Sequence, residues 1–141
     1  MKVYKISAVT LLIKNMEKSC NFYSQLPGFK LVYGSDNDIF ATYEIGENIS
    51  KNYLNLQLNQ SNSAPYYHKR KYFGRIIFHT EDVDKLYWYL KGDKRISNMI
   101  SFENVPEDAP WGERYFHVLD PDGYQLSFAK PINEERKNLK P

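Results

Sequence analysis

Two histidines and one arginine fall on runs of the sequence that read as strands, where a side chain can face a ligand. His117 lies in the run 113–119 and His79 in the run 73–79. An imidazole in such a place serves as a general base or orients a ligand by a hydrogen bond; for His117 the plainer alternative is a hydrogen-bonded interior histidine with no catalytic task. Arg75, with Asn55, Gln57 and Ser127 as neutral partners, suits a carboxylate, phosphate or sulfate on a ligand. Its alternative is an internal salt bridge to Glu44 or another acid. Glu44, Glu103 and Glu113 are candidate carboxylates, or else solvated strand and loop acids. Trp111, Tyr53, Tyr115 and Tyr33 offer stacking walls for a planar or heteroaromatic ligand. Cys20 falls on the apolar stripe of a predicted helix with no basic neighbour in sequence, which makes it a core residue and not a low-pKa thiol.

Composition bounds what these residues can serve. The chain has 141 residues, 42% of them hydrophobic and 26% charged, enough for one domain with a sizeable core. Nineteen basic against seventeen acidic side chains leave +2, too small an excess for a nucleic-acid surface. One cysteine makes no internal disulfide, and no Cys/His cluster has zinc spacing. The opening MKVYKISAVTLLIK is too short in apolar run and too broken by lysine for a signal peptide. No apolar stretch approaches the roughly 20 residues that span a bilayer. The expectation is a cytoplasmic protein without nucleic-acid or membrane partners. Aromatic content is high, at 16% with twelve tyrosines, and aromatics beyond core needs line binding surfaces.

The elements repeat. Residues 3–13 are strand-rich, and Asn15 caps a helix whose Met16, Cys20, Tyr23 and Leu26 recur at helical spacing until Pro27-Gly28. Extended runs at 29–33, 39–45 and 53–59 follow, separated by turn residues. A polar connector at 60–72 carries His68-Lys69-Arg70-Lys71, which reads as a solvated segment, with an anion site as the lesser reading. The order then recurs: a strand at 73–79, a helix capped by Thr80 or Asp82 with Val83, Leu86, Tyr87 and Leu90, a strand at 96–102, a loop at 103–111, and strands at 113–119 and 124–129. Residues 132–141 form a polar tail.

Asp120-Pro121-Asp122-Gly123 fits a type I turn with Gly123 left-handed, which sets the register of the last hairpin. Phe116 then faces Phe128, Val118 lies beside Leu126, His117 pairs with Ser127 and Leu119 with Gln125. One face is apolar and meets helices; the other is mixed. The same alternation places Val9, Leu11 and Ile13, Leu54, Leu56 and Leu58, and Ile76 and Phe78 under helices. It turns Thr10, Asn55, Gln57, Arg75, Ile77 and His79 the other way. The predicted fold is α+β: one domain over 1–131, built of two tandem βαβββ modules (about 3–59 and 73–131). They form a curved mixed sheet around a cleft, with helices on the outer side.

Leu11-Leu12-Ile13-Lys14-Asn15-Met16-Glu17-Lys18-Ser19 with Asn21-Phe22-Tyr23, then Leu26-Pro27-Gly28-Phe29, form one motif. Phe73-Gly74-Arg75-Ile76-Ile77-Phe78 with Glu81-Asp82-Val83 form a second. Pro110-Trp111-Gly112-Glu113-Arg114-Tyr115-Phe116-His117-Val118 with Asp120-Pro121-Asp122-Gly123-Tyr124 form a third. In this order, from about residue 6 to residue 131, they resemble the vicinal oxygen chelate superfamily of glyoxalase I, extradiol dioxygenases and bleomycin-resistance proteins. The Trp-Gly-x-Arg-x-Phe stretch is most similar to the bleomycin-resistance branch, which implies antibiotic resistance by sequestration.

In metal-dependent members of that superfamily four inward side chains hold a divalent ion that polarises two adjacent substrate oxygens. Carried over, those positions fall on Ala8, Asn55, Arg75 and Ser127. A methyl, an amide, a permanent cation and a hydroxyl are a poor ligand set. The resemblance therefore implies a homodimer that sequesters a small molecule without metal or cofactor and without catalysis. Arg75, Asn55, Gln57, Ser127, His117, His79, Tyr53, Tyr115 and Trp111 are its candidate binding residues. Two alternatives stand beside it. One is a glyoxalase-like lyase, isomerase or dioxygenase whose metal has moved to His117; the other is a partner for another protein through the basic residues 66–71.

Overall fold

In the computed structural model residues 1–3, 5–60 and 74–132 are described; residues 61–72 of the predicted connector and 133–141 of the predicted tail lie outside them. The chain divides into two compact units, residues 1–65 and 66–141. Each is a helix-backed mixed sheet, so the α+β expectation and the repeated strand-helix-strand order hold.

The first unit runs β1 (Ala8–Ile13), α1 (Met16–Tyr23), β2 (Phe29–Gly34), β3 (Phe40–Ile45) and β4 (Asn52–Leu58), with a 3-10 turn at Asn48–Ser50. The sheet order is β1-β4-β3-β2. β1 lies parallel to β4, and the other pairs are antiparallel. Asn15 caps the helix as expected, its Oδ1 accepting from Lys18 N at 2.9 Å. Leu11 and Ile13, Leu54 and Leu56, and Ala41 and Tyr43 point to the same side as the helix stripe Met16, Cys20, Tyr23 and Leu26, and all are buried. Tyr43 is fully buried, so its hydroxyl needs partners. It contacts Ser24 Oγ at 2.8 Å and donates to Cys20 O at 3.1 Å. Burial pushes its phenol pKa well up. β1 is shorter than the sequence predicts, starting at Ala8, and Tyr53 N–H donates to Ser7 O at 2.9 Å just before it.

The second unit runs β5 (Arg75–His79), α2 (Val83–Gly92), α3 (Lys94–Ser97), β6 (Ser101–Phe102), β7 (Glu107–Asp108), β8 (Glu113–Leu119) and β9 (Gln125–Pro131). The order is β5-β9-β8-β6, with β7 also on β8. Asp82, not Thr80, caps α2 through Lys85 N at 3.0 Å. Val83, Leu86, Tyr87 and Leu90 are buried, and Tyr87 meets Phe116 edge-on with centroids 5.3 Å apart. Arg114 ties α2 to the sheet: Nε donates to Asp84 Oδ2 at 2.6 Å, Nη2 to Asp84 Oδ1 at 2.8 Å and Nη1 to Asp108 Oδ1 at 3.0 Å. That pairing holds the Asp84 carboxyl below the usual carboxylate range.

The predicted strand at 96–102 is corrected. Asp93 Oδ1 accepts from Arg95 N at 2.9 Å and starts a second helical turn, α3, whose Ile96 is buried. Only Ser101 and Phe102 remain as strand, opposite Leu119 and Val118. The loop predicted at 103–111 likewise contains β7.

The last hairpin has the register read from its turn: Phe116 opposite Phe128, His117 opposite Ser127, Val118 opposite Leu126 and Leu119 opposite Gln125. Gly123 has φ 91°, in the left-handed region that glycine enters without penalty. Asp120 is buried, and its Oδ1 accepts from the N–H groups of Asp122 and Tyr124, each at 2.9 Å. Removing that carboxylate strands two backbone donors. Asp120→Ala is expected to lower the unfolding free energy by about 1–3 kcal/mol, read as a shift of the urea midpoint, with Asp120→Asn recovering part of the loss.

Candidate functional site

Strand alternation sends Glu113, Tyr115, His117 and Leu119 of β8 to the face opposite α2. Ser127 and Gln125 of β9 join them through the hairpin register, and β5 adds Arg75, Ile77 and His79 opposite Gln125, Ser127 and Ala129. The second unit therefore gathers six of the expected site residues, Arg75, His79, Trp111, Tyr115, His117 and Ser127, on one sheet or at its rim. The other three, Tyr53, Asn55 and Gln57, lie on β4 of the first unit, on the face turned from α1.

Arg75 is held on three sides. Nη1 donates to Leu126 O at 2.8 Å and Nη2 to Glu103 Oε1 at 3.1 Å. With the Gln125 amide oriented to suit its neighbours, its oxygen accepts from Nη2 at 3.2 Å and its nitrogen donates to Gly74 O at 3.0 Å. The salt bridge considered for Arg75 thus goes to Glu103; Glu44, the acid named first for it, pairs with Lys51 at 3.2 Å in the other unit. An anion on a ligand would have to compete with Glu103 for this guanidinium.

The rings form a line along β8. Trp111 stacks on Tyr115 with centroids 6.0 Å apart and planes 27° apart, and Tyr115 meets His117 at 4.7 Å. Trp111 is 63% exposed, so one indole face is open. Acids brace the line. Trp111 Nε1 donates to Glu113 Oε1 at 2.8 Å, His79 Nε2 lies 3.2 Å from Glu113 Oε2, and the Tyr115 hydroxyl donates to Glu107. Tyr53 and Tyr33 belong to the first unit, where Tyr33 packs edge-on against Phe40.

His117 is half-buried. Burial and then the Arg75 charge pull its pKa below 6.5, while Glu103 and Glu107 partly offset them. Its N–H donates to Asn104 Oδ1 at 2.6 Å. Its ring nitrogen Nδ1 is buried, and no partner for it occurs among the described residues. Asn104 lay within the predicted loop and gave no signal in sequence; its part depends on the strand irregularity that brings it to His117.

Of the positions that the resemblance assigns to a metal, Ala8 has no donor atom. Asn55 is engaged within its own sheet: Nδ2 donates to Thr10 Oγ1 at 3.2 Å and Oδ1 accepts from Thr42 Oγ1 at 2.8 Å. Ser127 is 2% exposed and donates to Phe116 O at 3.4 Å. With Arg75 a fixed cation, these residues do not fit a divalent ion. No group of three or more His, Cys, Asp and Glu able to hold a metal occurs among the described residues, and no helix among them is long and apolar enough to cross a membrane.

Solved structures share this architecture. A glyoxalase/bleomycin resistance protein/dioxygenase superfamily member from Sphaerobacter thermophilus DSM 20745 is 25% identical over 90% of this chain and 97% of that one, with a TM-score of 0.61. A glyoxalase-related enzyme from Fulvimarina pelagi is 19% identical over 90% and 88%, with a TM-score of 0.64. TioX from Micromonospora sp. ML1 is 15% identical over 91% and 99%, with a TM-score of 0.62. The last two likenesses show the fold alone. No curated protein matches the chain at a significant level. A family model spanning residues 5–128 agrees with the two strand-helix-strand units, and the chain belongs to the Glyoxalase/Bleomycin resistance protein/Dioxygenase superfamily.

Proposed function

We propose that this chain is a metal-independent binding protein of its superfamily, of the bleomycin-resistance type, acting as a cytoplasmic homodimer that sequesters a small molecule. Sequestration of this kind confers resistance when the ligand is a drug. The observation that carries the reading is the guanidinium of Arg75, tied to Glu103 and Leu126 O, at a position where metal-dependent relatives need a neutral or anionic donor. The ring line Trp111, Tyr115 and His117 supplies a surface on which a planar ligand can lie. Ser127 and His79 flank that surface, while Asn55, Gln57 and Tyr53 stand on the first unit's own sheet.

A second reading rests on His117. An imidazole whose pKa burial lowers, with a nitrogen that finds no partner among the described residues, has the form of a metal ligand or general base, as a lyase, isomerase or dioxygenase with a displaced metal would require.

Titration calorimetry against bleomycin, small aromatic ligands and small anions tests the first reading, with fluorescence of Trp111 followed in a Trp88→Phe background. Binding to at least one of them is expected, weakened tenfold or more by Trp111→Ala; silence across the panel overturns the proposal. Elemental analysis of the purified protein separates the two readings. Substoichiometric metal is expected, and one Ni, Zn, Fe or Mn per chain, lost in His117→Ala, would establish the second.

His117 also makes a pH statement. Its folded pKa lies below the unfolded value of about 6.5, so the unfolded chain takes up the proton first. Its contribution to stability is complete above pH about 6.5 and is lost as pH falls toward the folded pKa. NMR titration of the His117 ring is expected to give a midpoint under 6.5, and His117→Asn to flatten the fall of the urea midpoint between about pH 7 and 5.

A further inference from the structure

The partner strand of β8 is broken where it passes His117. Ser101 and Phe102 pair with Leu119 and Val118, and the ladder resumes with Glu107 and Asp108 opposite Tyr115 and Arg114. Residues 103–106 therefore stand against only Phe116 and His117: four residues face two. Such bulges re-aim side chains and recur beside binding sites. This one is anchored at one end by the Glu103 N–H, which donates to His117 O at 2.9 Å, and by the Glu103 carboxylate on Arg75. In the gap the Asn104 side chain replaces a strand, its Oδ1 accepting from His117 N at 2.6 Å.

That bond fixes the sense of the amide. Oδ1 accepts it, which leaves Nδ2 as the outstanding group, and Nδ2 is a donor only. Asn104 Nδ2 and His117 Nδ1 are the two buried side-chain polar atoms that find no partner among the described residues. Two such atoms on residues joined by one hydrogen bond are a shared demand, since buried polar groups are otherwise almost always satisfied. Both side chains are only half-buried, and their terminal torsions are soft, so side-chain motion is enough to present these nitrogens to a ligand.

Charge selects the ligand. Glu103 is balanced by Arg75, while Glu107 accepts from the Tyr115 hydroxyl and keeps its negative charge close by. A carboxylate meets repulsion there, and an ammonium gives Asn104 Nδ2 no acceptor. A neutral group with an acceptor and a donor side by side answers both nitrogens: its carbonyl oxygen accepts from Asn104 Nδ2 and its N–H donates to His117 Nδ1.

Resting on the binding reading above, we infer that Asn104 and His117 form a specificity pair for an uncharged amide or lactam edge on a planar ligand that stacks along Tyr115 and Trp111.

The test uses the full chain with three probes that share one ring: benzamide, benzoate and benzylamine. Affinities are read from Trp111 fluorescence in the Trp88→Phe background. Benzamide is expected to bind at least tenfold more tightly than either charged probe. Asn104→Asp keeps an oxygen for the His117 N–H and loses both donors, and is expected to erase that preference. In the unaltered protein the Asn104 side-chain NH2 and His117 Nδ1 resonances are expected to shift with benzamide, a readout that does not depend on any variant folding. Equal affinities for the three probes, or resonances that stay fixed while Trp111 responds, overturn the specificity pair and leave the binding reading standing. No Trp111 response to any of the three probes overturns the specificity pair, and the wider calorimetric panel decides the binding reading.

Discussion

A guanidinium cannot shed its charge at any pH a cell reaches, so whatever surrounds Arg75 has to answer a permanent cation. Three groups do so: the Leu126 carbonyl, the Glu103 carboxylate and the Gln125 amide oxygen. Much of the second sheet's open face follows from this. Glu103 is drawn to Arg75 and starts the bulge; the bulge brings Asn104 to His117. The same cation helps keep the His117 imidazole neutral.

The acids on this face have separate tasks. Glu103 neutralises Arg75, Glu107 accepts the Tyr115 hydroxyl, and Glu113 is shared between Trp111 and His79. Each carboxylate fixes a ring or a cation, so the stack from Trp111 to His117 is braced from below without closing its outer side. Such bracing reduces the side-chain entropy that a ligand must otherwise remove on arrival.

Much of this fold was legible from alternation and turn chemistry. The register of the last hairpin came from four residues, because a left-handed Gly123 admits few loop lengths and a one-residue slip would turn Phe116 and Phe128 outward. The helix caps Asn15 and Asp82 were legible for a similar reason: a short polar side chain before an apolar stripe has one good place for its oxygen. Residues 96–102 misled because Ile96, Ile100 and Phe102 look like strand residues, while the Asp93 side chain, accepting from Arg95 N, decides for a helical turn. The alternation that put Arg75 on the open face could not say which acid would reach it. Asn104 was out of reach altogether, since its partner is set by a gap in pairing and not by any pattern of residue types.

Both units join their first strand to their last by a parallel pair, β1 with β4 and β5 with β9. During synthesis β1 therefore emerges from the ribosome with no mate and waits until residue 58 has been made. β5 waits in the same way until residue 131 has been made. Loop closure over such separations is slow compared with forming a helix or a hairpin. A shortened message that stops before the final hairpin leaves Arg75 on a strand without its neighbour.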